Sequence, residues 1–252
     1  MGLDGIDLAR TLRRGVTRRL PIKFARARGE SAVASITFDD FPRSAWTLGG
    51  PILERFGAKA TYYAAGRFCG LNEEGVDYFT TDDLLALRNA GHEIGDHGFG
   101  HDPAIAISTA ALHKDCEKSA SFFRDRLQGE TLASYAWPFG EASPRTKAVM
   151  ARRFSNSRGI QKGVNAGWID LAELKAIPLE YRRWRPDEIE AAIRRARACG
   201  GWVVFFTHDV ADDPMPFGST PEMLAFTLER LAFHGIEVLP MKHAMARCVF
   251  GG

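Results

Sequence analysis

Short apolar runs alternate along this chain with longer segments whose apolar residues recur every three or four positions. Residues 32–38 read as a buried strand that runs into Asp39-Asp40. Residues 44–56 carry a helical pattern closed by Gly57, and 60–65 read as a second strand. A Thr-Thr-Asp-Asp cap opens a helix over 80–89, which Gly91 stops. A short strand at 92–95 leads into a loop bearing histidines. A long helix then spans 108–127, with Ala111, Leu112, Cys116, Phe122, Phe123 and Leu127 on or near one face. The strand at 131–137 breaks at Pro138-Phe139-Gly140, and a helix at 145–153 leads to a strand near Phe154. Segments at 170–174 and 176–180 follow a Gly-rich loop. Helix 186–198 begins with Pro, 201–207 is the most apolar strand, and 221–234 and 236–239 add one more helix and strand.

Repeated strand–helix alternation predicts a parallel sheet with helices outside it. The polar clusters fall just after predicted strands, where barrel and open-sheet enzymes place their chemistry. No internal repeat, low-complexity tract or linker interrupts the pattern. The 252 residues therefore suit one catalytic domain over 31–252, preceded by a basic extension over 1–30.

Composition narrows the function classes. A formal net charge of +2, with no basic-aromatic surface pattern, argues against nucleic acid as a partner. Cys69, Cys116, Cys199 and Cys248 are far apart and form no Cys-x-x-Cys pair, which disfavours a zinc ribbon or a thioredoxin-like motif. Reduced thiols and the absence of a secretory leader predict a cytoplasmic protein. The extension carries Arg10, Arg13, Arg14, Arg18, Arg19, Lys23, Arg26 and Arg28 between apolar residues. Two readings stand for it: a basic helix folded onto the domain, or peripheral contact with an anionic inner-membrane leaflet. The oligomeric state is not set by the sequence.

Three stretches carry candidate chemistry. Neighbouring side chains of an extended segment point to opposite sides, so one of Asp39 and Asp40 can bind a metal while the other faces water. The same pair, taken alone, also makes an Asx turn or a helix cap before Phe41-Pro42. His97 and His101 stand four apart among Gly95, Gly98 and Gly100, a spacing that lets two imidazoles share one ion. Two ordinary surface histidines would show the same spacing. His208 closes a strand of five apolar residues and Thr207, where its pKa can be tuned for proton transfer. One carboxylate with two histidines is a common set for a divalent metal that keeps open positions. His92 lies inside a strand and reads as a hydrogen-bonded core residue.

Together, Thr37-Phe38-Asp39-Asp40, His97-x-x-x-His101 after Gly-His-Glu-Ile-Gly, Trp137-Pro138-Phe139-Gly140 and Thr207-His208-Asp209 resemble the polysaccharide deacetylase family. The resemblance runs from about Val33 to Leu239. It implies an α/β fold, a distorted, incomplete (β/α) barrel of about seven strands, and metal-dependent hydrolysis of an N-acyl group on a sugar. It further implies that Asp40, His97 and His101 hold one divalent metal, most often zinc. Asp39 is then the base that activates water, His208 the acid that protonates the leaving amine, and the Phe139 N–H a donor to the oxyanion.

The chain departs from the family pattern in two places. The Arg-x-Pro-x-Gly-type segment often supplies an arginine that steadies the base, but here Tyr135-Ala136-Trp137 precedes Pro138. Glu141 and Arg158 are the two candidates to replace it. The segment that tunes the catalytic acid has its nearest match in Trp168-Ile169-Asp170, which reads equally as a helix start. Trp137 and Phe139 flank Pro138 at a strand end and are the aromatics expected to line a substrate cleft.

The expected function is removal of an acetyl or formyl group from an amino sugar, with a nucleotide- or lipid-linked biosynthetic intermediate as substrate. Two alternatives stand beside it. One is the same chemistry on a small non-sugar amide or cyclic ureide, and the other is an inactive relative that binds glycan.

Overall fold

The computed structural model describes residue 17 and residues 20–73 and 75–250. Most of the basic N-terminal segment, and with it the choice between surface helix and membrane contact, lies outside the described residues. The strands are β1 (Phe24–Arg26), β2 (Val33–Phe38), β3 (Thr61–Ala64), β4 (Asn72–Glu73), β5 (Val76–Asp77) and β6 (Glu93–Asp96). They continue with β7 (Ser134–Ala136), β8 (Asn156–Arg158), β9 (Trp168–Asp170), β10 (Ile177–Pro178), β11 (Trp202–Thr207) and β12 (Glu237–Val238).

Seven strands form one curled parallel sheet in the order β10–β11–β2–β3–β6–β7–β8, and β12 pairs with the start of β2. This is the incomplete barrel expected. Successive residues of its central strands feed two cores, as the two-residue period of a strand requires. Ala34, Ile36, Phe38, Tyr62, Val203 and Phe205 pack in one core; Tyr63, Trp202, Val204 and Phe206 pack in the other. The polar residues of β2 are buried with partners. Thr37 Oγ1 donates to Phe205 O at 2.9 Å, and Ser35 Oγ donates to Leu239 O at 2.7 Å while accepting from Trp202 Nε1 at 3.0 Å.

The helix expected after the Thr-Thr-Asp-Asp cap starts there, and a second side-chain cap opens the long helix. Thr80 and Asp83 form a reciprocal capping box, and Ser108 caps the long helix through Ala111 N. The single helix expected over 44–56 is instead two, Arg43–Thr47 and Gly49–Arg55. The bend between them lays Gly50 on the Trp46 indole, where a Cβ would stand 2.7 Å from the ring.

β1 pairs antiparallel with β9, Ala25 opposite Ile169. The folded unit therefore begins before residue 31, within the segment expected to lie outside it. Among the described residues, no helix is long and apolar enough to cross a membrane, and all four cysteines are free thiols.

Candidate active site and metal centre

The site begins where β2 stops. Asp39 N still donates to Thr207 O at 2.8 Å, so Asp39 continues the ladder with β11. Asp40 and Phe41 then turn the chain with φ of 60° and 57°. Left-handed backbone costs a non-glycine residue on the order of 1–3 kcal/mol and persists where its surroundings over-determine it. Here the anchor is Phe41, fully buried between Phe79 and Tyr62 at centroid distances of 5.1 and 5.0 Å. Four of the five described non-glycine residues with positive φ stand at this site: Asp40, Phe41, His101 and Phe139.

The histidine loop leaves β6 and is held by two carboxylates. Gly98 N donates to Asp96 Oδ1 at 2.8 Å, and Phe99 N and Gly100 N donate to the two oxygens of Asp115, each at 2.8 Å. Gly98 has φ of +74°, a conformation an L side chain resists. His97 Nδ1–H donates to Ala136 O at 2.9 Å, which directs the Nε2 lone pair the other way.

That lone pair faces Asp40. Asp40 Oδ1 lies 3.4 Å from His97 Nε2 and 3.0 Å from His101 Nε2, and the three ligand atoms fall within 4.8 Å of one another. Oδ1 is nevertheless buried without a hydrogen-bond donor, because neither imidazole contact has hydrogen-bond geometry. Burial pushes the His97 imidazole down to about 4, against the smaller opposing pull of Asp39 and Asp40, so it is a neutral donor at neutral pH. Burial also pushes the Asp40 carboxyl up. The contact with His101, and the electrostatic influence of the surrounding imidazoles His101, His97 and His208, outweigh that and hold it well below the usual carboxylate range. Acceptors converging on an orphaned carboxylate oxygen fit a cation. Bonds of about 2.0–2.1 Å in a tetrahedral zinc site put neighbouring ligand atoms roughly 3.3 Å apart.

Asp39, whose charge also acts on His97, meets Arg158. The guanidinium donates through Nη2 to Asp39 Oδ1 and through Nη1 to Gly159 O at 3.0 Å. It is fully buried between the rings of Tyr63 and Phe206, 5.3 and 4.9 Å from their centroids. Of the two candidates, Arg158 rather than Glu141 therefore steadies Asp39. Its partner across the β7–β8 ladder is Ala136, the position where an Arg-x-Pro-x-Gly segment would carry its arginine. The charge enters from the neighbouring strand.

His208 follows directly on β11, with Nε2 3.9 Å from Asp40 Oδ2 and Nδ1 3.2 Å from Phe217 O. The backbone carbonyl of Phe217, not Asp170, orients this imidazole. Asp170 lies in the β1–β9 pair, where it meets Lys147 Nζ at 2.7 Å and accepts from Lys23 N and Ala172 N. Trp137 also needs correction as a cleft residue. It is 1% exposed, packed on Tyr135, and donates Nε1–H to Ala172 O at 3.0 Å. Phe139, one residue past Pro138, turns outward at φ 58° and is 54% exposed, its ring 4.7 Å from that of His101. His92 is the core residue expected, its Nδ1 accepting from Ala60 N at 3.0 Å.

Sequence reasoning did not single out Asp115, Asp96 or the backbone carbonyl of Phe217. Asp96 stands beside His97 in the sequence and could have been flagged. Asp115 sits on a helix 14 residues past His101, and Phe217 acts through its backbone, so neither leaves a signal in a single sequence.

The polysaccharide deacetylase family model matches residues 26–153. No curated protein matches the chain. Among solved structures, a family 4 acetyl xylan esterase from Clostridium thermocellum, in complex with a cobalt ion, is 20% identical with a TM-score of 0.59. The match covers 85% of this chain and 90% of that one. The Bc1960 peptidoglycan N-acetylglucosamine deacetylase is 16% identical with a TM-score of 0.62, over 86% of this chain and 90% of that one. BA3943, a pseudoenzyme of the CE4 family from Bacillus anthracis, is 16% identical with a TM-score of 0.63, over 90% of this chain and 69% of that one. At these identities the likeness is one of fold.

Proposed function

The chain belongs to the polysaccharide deacetylase family of hydrolases, and from that membership we propose that it removes an N-acyl group, acetyl or formyl, from an amino sugar. One observation carries the reading. Asp40, His97 and His101 converge on one point, with Asp39 held by Arg158 and His208 in reach of Asp40. Since a pseudoenzyme shares the fold, these side chains, not the barrel, support activity.

Asp40, His97 and His101 would hold the metal, and the donor set of one carboxylate and two imidazoles suits zinc first. When bound, such an ion polarises the scissile carbonyl and lowers the pKa of water toward ~7. Asp39 takes the proton of the attacking water, its carboxylate fixed by Arg158. The Phe139 N–H, at the tip of its left-handed turn, meets the developing oxyanion, where one fixed donor is worth roughly 2.7–4 kcal/mol. Nitrogen leaves an amide only when protonated. His208 delivers that proton from Nε2, with Nδ1 turned to the Phe217 carbonyl.

The finer proposal concerns the substrate. The structurally similar proteins include an acetyl xylan esterase and a peptidoglycan deacetylase; here a nucleotide- or lipid-linked intermediate is favoured by the basic N-terminal segment. The exposed Phe24 and Trp168 rings, 6.3 Å apart edge to face, support contact with a membrane interface beside it. Sedimentation with anionic vesicles, before and after removal of residues 1–16, tests that part. Metal analysis with an acetate and formate release assay on amino-sugar amides tests the activity. About one equivalent of metal with acyl release in the wild type, and neither in Asp40→Ala, is the expected outcome. No stoichiometric metal and no acyl release would favour the glycan-binding alternative, and full metal content with no release from any amino-sugar amide would favour the small non-sugar amide.

A further inference from the structure

On the Phe217 ring that touches His208 lies a cation whose chemistry the hydrolysis leaves unused. After β10 the chain reads Glu180-Tyr181-Arg182-Arg183-Trp184-Arg185, three arginines and one acid. This turn is tied to the loop that follows His208: Tyr181 N donates to Gly218 O at 2.7 Å and Arg182 N to Pro216 O at 3.3 Å. The Arg182 guanidinium lies on the Phe217 ring, 3.8 Å from its centroid, and that ring is 5.6 Å from His208. Glu180 is buried and accepts from Arg182 Nε at 2.9 Å.

These contacts orient the fork without using it. Among the described residues, Nη1 and Nη2 of Arg182 have no protein partner, and the side chain is 37% exposed. The arginines on the other flank differ. Arg67, beside the Phe68 ring that touches His101, turns Nη2 to Glu73 at 3.7 Å. Arg43, just past Asp40, meets Asp83 at 3.1 Å and Asp77 at 3.8 Å. A planar fork held by stacking and by Nε, with both terminal nitrogens open, is arranged for bidentate capture of a phosphate or carboxylate.

We infer that Arg182 is a specificity residue that binds an anionic group, phosphate or carboxylate, carried by the substrate amino sugar. The inference rests on the proposed deacylase reading and deepens it. A neutral glycan would leave this arginine idle.

The test uses the full-length, metal-loaded protein and measures binding by calorimetry of N-acetylglucosamine 1-phosphate, N-acetylmuramic acid and neutral N-acetylglucosamine. The wild type should bind at least one of the two anionic sugars tenfold or more tightly than the neutral one, and the tighter of the two identifies the group. Arg182→Ala should erase that margin with the loss confined to the anionic sugars, and Arg182→Lys should keep part of it as a point charge. Equal binding of all three sugars by the wild type would overturn the inference. So would an equal loss on charged and neutral sugars in Arg182→Ala, since that marks Arg182 as a prop for Phe217 and His208. Binding that depends on Arg182 with neither acetate nor formate released from any amino-sugar amide would instead overturn the deacylase reading and leave this one standing.

Discussion

Arg158, at the last strand of one end of the curled sheet, ion-pairs with Asp39, at the tip of the central strand β2. The pair spans the inside of the barrel, and both members are almost wholly buried. Such a pair orients a base, but removing one partner strands a charge, which typically costs about 3–5 kcal/mol. Arg158→Met should therefore lower unfolding free energy by about that much in urea titrations. Arg158→Lys keeps a charge but loses the fork, so it should retain the metal and lose kcat by about tenfold or more.

Asp115 acts on the backbone and not on the imidazoles of His97 and His101, the proposed metal ligands. It accepts from two successive amides of the loop that carries His97 and His101. Outer partners of metal ligands typically contribute 10–100-fold in affinity. Asp115→Asn should weaken metal binding by about that factor in competition with a chelator, with kcat near wild type once the site is saturated.

His92 predicts an acid limb of stability. Burial chiefly, with some contribution from Lys59, pushes its folded value down to about 4 from 6.5. Between those values the unfolded chain binds the proton and the folded chain does not. Its contribution is thus complete above about pH 6.5 and lost as pH falls to about 4, at roughly 1.4 kcal/mol per pH unit. His92→Gln should flatten that part of a plot of urea midpoint against pH.

Trp137 is placed as a core residue, and the two possible roles separate cleanly. Trp137→Phe deletes the hydrogen bond to Ala172 O and part of the packing, so it should cost about 1–3 kcal/mol of stability. KM for any amino-sugar amide should stay unchanged. A raised KM with unchanged stability would return Trp137 to the cleft.

Much of this architecture is legible in the sequence. The apolar run into Asp39-Asp40 became β2, and the Thr80 cap starts the helix it signalled. The positions Asp40, His97, His101 and His208 meet at one end of the sheet. What stayed hidden depended on geometry between elements. The choice of Arg158 over Glu141 rests on the β7–β8 register, which brings position 158 beside Ala136. Trp137 and Phe139 are two residues apart, and the turn at Pro138 buries one and exposes the other. The β1–β9 ribbon has three residues per strand and exposed faces, too little for a period to show.

The division of labour between the two neighbouring aspartates is the centre of this account, and metal content of purified Asp39→Asn measured together with its turnover tests it most directly. About one equivalent of metal, as in the wild type, with kcat reduced by roughly 10²–10⁴-fold is the result expected for loss of a base. An Asp39→Asn protein that emerges without its metal would contradict it, because Asp39 would then be a ligand.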